Sequence, residues 1–271
     1  IVAGSLINAG TLAINGVARW DGLAWSDLGG GAALQGSPRG LLFDAVRLSN
    51  GDVVVAGAFD HMSGVPAANI ARWDGVQWQP LGSGLSGNCL ALAVGPADEV
   101  YAVGFFTTAG GVAASRIARW DGVGWSALGG GFDATARRLL LLPNGDLIVG
   151  GDFALAGGVA VQRVARWDGQ TWTPFGALNA PTVFARTAAG DLLAGEAFTG
   201  GSSVVRRWDG AAWAPLTTGL SSTGPLTGGE VAAIHELPDG DLLVAGKFGR
   251  AGTVLANHIA RWDGTAWRAV D

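Results

Sequence analysis

The chain has 271 residues, 49% hydrophobic and 14% charged, with 46 Gly, 12 Trp, one Tyr and one Cys at a net charge of −5. That length buries a large core without staples, and the lone Cys89 excludes an internal disulfide or a cysteine zinc cluster. The acidic balance argues against nucleic-acid phosphates and anionic membrane surfaces as partners.

Taken in chain order, Ile1 to Gly10 show neither the basic start nor the long apolar stretch of a signal peptide. The chain opens inside a patterned segment, which reads as part of something longer. Ile1-Val2-Ala3-Gly4 is an apolar strand ending in Gly, and Arg19-Trp20-Asp21-Gly22 follows, with Trp25 three residues on. The next unit begins at Asn50-Gly51-Asp52 and runs through Val53-Val54-Val55-Ala56-Gly57 to Phe59. It then repeats the phrase as Arg72-Trp73-Asp74-Gly75 with Trp78. Further copies carry Arg119, Trp120 and Trp125; Arg166, Trp167 and Trp172; Arg207, Trp208 and Trp213; and Arg261, Trp262 and Trp267. The first tryptophans stand 53, 47, 47, 41 and 54 residues apart. A fixed phrase at this period marks a propeller or a solenoid. An aromatic follows the acidic turn residue by seven positions in each full copy, at Phe59, Phe106, Phe153, Phe198 and Phe248. The longest apolar runs, such as Leu139 to Leu142, fall far short of the ~20 residues of a membrane-spanning helix.

Each unit resolves into four short strands, a to d. Strand a precedes the Asn-Gly-Asp turn, strand b is the apolar run after it, strand c holds Ile-Ala-Arg-Trp or its equivalent, and strand d carries the second Trp. Asn-Gly and Asp-Gly supply the positive φ of tight β-turns. No window has a useful helical period. Four-stranded meanders at this spacing close radially, so the expected fold is all-β: a six-bladed β-propeller of four-stranded antiparallel blades in one domain. The blades fall at about 1–30, 41–82, 88–129, 136–176, 182–217 and 230–271. There are six b, c and d strands but five a strands, so the first blade lacks its innermost strand, leaving an unpaired edge. A two-residue Asp-Gly turn would set the paired tryptophans diagonally on one face, packed between blades. The alternative is a ring of exposed sugar platforms. The six motif arginines are expected to contact the six motif aspartates, from Asp21 to Asp263, stitching neighbouring turns; the alternative is an anion-binding ring.

The order of strand, Gly, loop, aromatic and Trp resembles the kelch type of propeller repeat. The phrase Ile117-Ala118-Arg119-Trp120-Asp121-Gly122 with Trp125 and Leu128-Gly129 resembles, more narrowly, repeats of bacterial secreted and cell-surface proteins and of fungal cortical-marker proteins of cell polarity. That resemblance implies a scaffold with many uses and an extracellular or cell-surface location.

The loops b–c and d–a share one face, and they vary. Binding groups concentrate on variable loops over a rigid frame. The fifth unit breaks the pattern: its b–c loop is four residues shorter, Glu196 replaces the strand-end Gly, and Arg206 replaces a small residue. These two charges either pair with each other or form one edge of a ligand pocket. On the same face Asp152, Lys247, Arg250, His61, Arg138 and Glu230 complete the candidate set. The turn face is acidic, but no segment resembles an oxygen ladder for calcium, and no metal or cofactor is expected. A copper oxidase site on a kelch-like propeller would need two tyrosines and two histidines, and the chain has only Tyr101 with His61, His235 and His258 in separate contexts. No Gly-x-Ser-x-Gly, Walker or His-Glu-x-x-His motif appears. The reading is a non-catalytic binding or scaffold module of a larger secreted or cell-surface protein, with flanking domains and a protein or glycan partner. The alternatives are a lectin-like propeller, and a hydrolase or lyase with a pocket at the channel mouth.

Overall fold

In the computed structural model the described residues are 1–35, 37, 39–198, 203–221 and 229–270. They form an all-β propeller array and contain no helix long and apolar enough to cross a membrane. Strands a to d of the second sheet are Leu41–Arg47, Val53–Ala58, Ile70–Trp73 and Trp78–Pro80. Neighbours pair antiparallel in that order. Strand a begins at Cys89, Ala136, Pro181 and Gly229 in the third to sixth sheets, which follow the same plan. The first sheet has only Val2–Ala3, Val17–Trp20 and Trp25–Asp27. Among the described residues it therefore lacks strand a, as the sequence leads one to expect. The inner strands pack one against the next in chain order.

The b–c connections contain a further element where the sequence reads as loop. Short hairpins such as His61–Met62 with Val65–Pro66 and Thr108–Ala109 with Val112–Ala113 sit there. Those of the second, third, fourth and sixth sheets latch onto the end of strand d or the segment after it in the preceding sheet, through Ala32 to Met62, Leu85 to Ala109, Phe132 to Ala156 and Leu220 to Ala251. Of the connection between strand d of the fifth sheet and strand a of the sixth, residues 222–228 lie outside the described residues.

The tryptophan geometry differs from the expected diagonal. The turn is four residues long, and the two indole-bearing residues are direct cross-strand partners, Trp73 with Trp78 and Trp120 with Trp125. All six pairs are tilted ring contacts with centroids 5.1–5.5 Å apart. The second ring of each pair from the second sheet to the sixth enters the seam with the preceding sheet. Trp78 Nε1 donates to Leu28 O at 2.5 Å, Trp125 Nε1 to Leu81 O at 2.9 Å and Trp213 Nε1 to Phe175 O at 2.9 Å. Trp172 Nε1 is buried without a partner; its ring lies against Phe132 instead. An indole buries roughly 150–250 Å², worth about 4–6 kcal/mol in area terms, so these rings dominate each seam. Five seams hold a shared apolar core. Cys89 is fully buried in one of them, and burial pushes its thiol up. The first sheet's other face holds a cluster of its own residues alone: Ala9, Ile14 and Ala18 with Val2, Leu12 and Trp25. Leu243, Ala245 and Ile259 of the sixth sheet are half-buried, where Val54, Ala56 and Ile70 are fully buried. Among the described residues the ring of cores is thus open between the sixth and first sheets. The closed rosette expected from the sequence would need the inner strand that the first sheet lacks.

The expected Arg–Asp pairing also changes. The motif arginines pair across strands b and c with the acid of the a–b turn: Arg72 with Asp52 at 3.2 Å, Arg119 with Glu99 at 3.7 Å and Arg166 with Asp146 at 2.7 Å. Arg207 pairs with Asp191 and Arg261 with Asp241. Each motif aspartate instead caps its own turn. Asp74 Oδ1 accepts the N–H groups of Val76 and Gln77 at 2.9 and 2.8 Å. Asp21, Asp121, Asp168, Asp209 and Asp263 do the same in their turns. The reason is reach: a short Asp side chain meets its local N–H groups, while the long Arg spans to the next strand.

These turn bonds hold all six carboxyls below their ordinary range. A folded-state value below the unfolded one stabilises above the unfolded pKa, about 4 for Asp, and that stabilisation is lost as pH falls through the folded value. The melting temperature should therefore hold from pH 7 to about pH 4 and drop below it. An Asp121→Ala variant should show a shallower acid slope in thermal melts, and an equal slope would refute the turn assignment. For the seam, Trp125→Ala should cost about 3–5 kcal/mol in urea unfolding. Trp125→Phe, which strands only the Leu81 carbonyl, should cost about 1–3 kcal/mol.

Candidate functional site

Every strand a carries a β-bulge near its start. The register slips between Leu42 and Asp44, Cys89 and Ala91, Ala136 and Arg138, Pro181 and Val183, and Val231 and Ala233. A bulge adds one residue and re-aims a side chain. In four of the five the bulge lies against the strand-end glycine, and in the fifth against Glu196. A Cβ on Gly57 would meet Leu41 O at 1.9 Å, and one on Gly104 would meet Asn88 O at 2.1 Å. The extra residues Phe43, Leu90, Arg137 and Thr182 converge at the axis. With Arg138, Pro181 and Glu230 they line a pocket of about 240 Å³.

The pocket lining mixes apolar side chains, Phe43, Leu90 and Pro181, with the charged Arg137, Arg138 and Glu230. Phe43 is 41% exposed. Arg138 Nε donates to Thr182 O at 2.6 Å and its Nη1 to Arg137 O at 2.8 Å. Burial lowers its guanidinium, while the Asp44 and Glu230 carboxylates favour its charged form. Asp44 Oδ2 accepts Leu92 N–H from the next sheet at 2.8 Å, and burial raises its carboxyl. Arg137 forks onto Asp152, with Nε at 3.0 Å and Nη2 at 2.6 Å, and that hydrogen bond raises the guanidinium. Lys247 is exposed, and its backbone N–H donates to Glu230 O at 2.8 Å, in the pairing that carries strand b past the start of strand a. Such a site can hold a small amphipathic group against apolar side chains with charges beside it.

Of the residues singled out from sequence, the structure brings Arg138 and Glu230 into this pocket, with Asp152 and Lys247 beside it. Glu196 and Arg206 are turned inward. Glu196 is 5% exposed, pairs with Arg206 and accepts Asn179 N–H at 2.6 Å. Arg206 also donates to Trp213 O at 3.3 Å. Their pairing stands in place of a pocket edge, because a carboxylate buried within a blade needs a cation there. His61 and Arg250 lie out on the latch hairpins, away from the axis. His61 Nδ1 sits 2.8 Å from Asp60, and Arg250 Nη1 donates to Thr253 O at 3.4 Å. The sequence places them at the mouth because it shows the b–c segments as plain loop. It does not point to Phe43, Asp44, Leu90, Arg137 or Thr182. The one signal it carries is that Phe43, Leu90 and Arg137 follow the residue opposite a strand-end Gly in the a–b hairpin, and a bulge is not written in any one residue. Among the described residues no three His, Cys, Asp or Glu side chains are grouped as metal ligands.

Comparison with protein families matches residues 237–262 to a β-propeller domain of unknown function, DUF5122. A comparison with curated proteins found no match. Among solved structures, a catalytically inactive virginiamycin B lyase from Staphylococcus aureus with quinupristin is similar at 15% identity and a TM-score of 0.54, covering 84% of this chain and 69% of that one. YCF48 bound to D1 peptide is similar at 16% identity and a TM-score of 0.51, covering 84% of this chain and 65% of that one. The chain thus spans about two thirds of the length of either. These likenesses show the propeller fold.

Arg206→Ala should strand the buried Glu196 carboxylate and cost about 3–5 kcal/mol. The double change Glu196→Gly with Arg206→Ala should recover part of that loss, since it restores the residue types of the other copies. Urea unfolding of the two variants checks this, and a double variant no more stable than the single one would overturn the pairing.

Proposed function

We propose that the chain is a non-catalytic binding module of a larger secreted or cell-surface protein, and that the axial pocket at the channel mouth receives a protein or glycan partner. The observation that carries this reading is the bulge ring. Side chains re-aimed from several different strands meet at one point, where apolar surface and fixed charge stand together. Rigid sheets below hold them, so little ordering cost falls on binding. The kelch-like and cell-surface resemblance of the repeat supports the location and the scaffold role.

The test is a peptide and glycan array probed with the wild-type chain and with a Phe43→Ala, Arg137→Ala, Glu230→Ala variant. Ligands found by the wild type should bind the variant at least about tenfold more weakly, about 1.4 kcal/mol, with the circular dichroism spectrum unchanged. Equal binding by the two proteins would overturn the pocket assignment.

A further inference from the structure

At about 240 Å³ the channel-mouth pocket is smaller than the roughly 300–1,000 Å³ that encloses a drug-sized ligand. One ring or one side chain fills it. Its apolar wall comes from three different sheets, through Phe43, Leu90 and Pro181.

The polar wall holds donors that cannot accept and an acceptor that cannot donate. Arg138 is half-buried and spends Nε on Thr182 O and Nη1 on Arg137 O. Its Nη2 has no acceptor among the described residues. Arg137 spends Nε and Nη2 on Asp152, and its Nη1 has no acceptor there either. Glu230 lines the same pocket, and its carboxylate makes no hydrogen bond or ion pair among the described residues.

Charge is balanced around this space. Arg137, Arg138 and the neighbouring Lys247 stand against Asp44, Asp152 and Glu230. An anion entering it would meet Asp44 and Glu230, and a cation would meet the guanidiniums. Both repulsions grow where water is partly excluded, and a neutral ligand meets neither. A hydroxyl donates and accepts through one oxygen. Two vicinal hydroxyls can therefore donate to Glu230 and accept from an arginine at once. The face of the Phe43 ring is the negative pole of its quadrupole, which suits the C–H face of a saturated ring. An amide side chain is neutral too, but it keeps donor and acceptor on separate atoms and has no such face.

We propose that the occupant is one neutral pyranose at the end of a glycan, with its C–H face on Phe43 and vicinal hydroxyls shared between Glu230 and the arginines. The assignment rests on the channel-mouth pocket being the binding site, and of protein and glycan it selects the glycan. Glu230 is then a specificity-determining residue, because it is the unspent acceptor of the lining.

The experiment is saturation-transfer NMR on the whole chain with the methyl pyranosides of glucose, galactose, mannose, fucose and xylose. Methyl glucuronide, glucosamine and N-acetylglutamine amide serve as anionic, cationic and amide probes. At least one neutral pyranoside should bind, about tenfold more tightly than the charged sugars. Glu230→Gln keeps the shape but replaces an acceptor oxygen by a donor, and it should weaken that binding about tenfold. Phe43→Ala should do the same, while Phe43→Trp keeps an aromatic face and should retain binding. Circular dichroism checks that each variant folds. Binding of the amide or of a charged sugar in place of the neutral pyranosides, lost in the same variants, overturns the pyranose and leaves the pocket standing. Pyranoside binding indifferent to both Glu230→Gln and Phe43→Ala overturns the pyranose and the pocket together. Binding of none of these probes overturns the pyranose, and the array with the triple variant still decides the pocket.

Discussion

A buried indole N–H needs an acceptor, and here the acceptor sits on the neighbouring sheet. Trp78, Trp125 and Trp213 reach back to carbonyls of the preceding unit. At these three seams one residue joins apolar burial to a directional bond; at Trp172 burial acts without the bond. The latch hairpins repeat the coupling at the rim through backbone pairing, as between Ala32 and Met62. Stability in such an array is a sum of units and nearest-neighbour seams.

The two faces of the array have opposite characters. On the turn face, carboxylates are consumed locally: motif aspartates by their own turns, a–b acids by arginines. Among the described residues, Arg19, Arg47 and Arg186 are arginines of that face with no ion pair. On the channel face, the bulges put large side chains where a regular strand would place none. Arg138 shows the consequence. It is held by two carbonyls and surrounded by Asp44 and Glu230, so its charge is fixed in position and partly shielded from water. Shielding strengthens its influence on whatever enters.

The repeat phrase made the strands, their order and the missing inner strand readable. Arg-Trp-Asp-Gly with a second Trp three residues on is dense with local information: Asp and Gly demand a turn, and two indoles demand a seam. The site was less readable. Arg138 and Glu230 belonged to the candidate set for the variable face, and they line one pocket. Glu196 and Arg206 stood out as exceptions to the pattern, yet their chemistry closes within one blade. His61 and Arg250 belonged to the same candidate set, and they lie on latch hairpins.

What the sequence determined by itself was everything that repeats, because a signal present in every unit rises above local ambiguity. What only the tertiary structure decided was direction. Whether an arginine reaches along its turn or across to the next strand, whether Trp faces Trp squarely or diagonally, and which residue a bulge throws toward the axis all depend on sub-residue register. Backbone pairing between strands far apart in the chain sets that register, and no single residue encodes it.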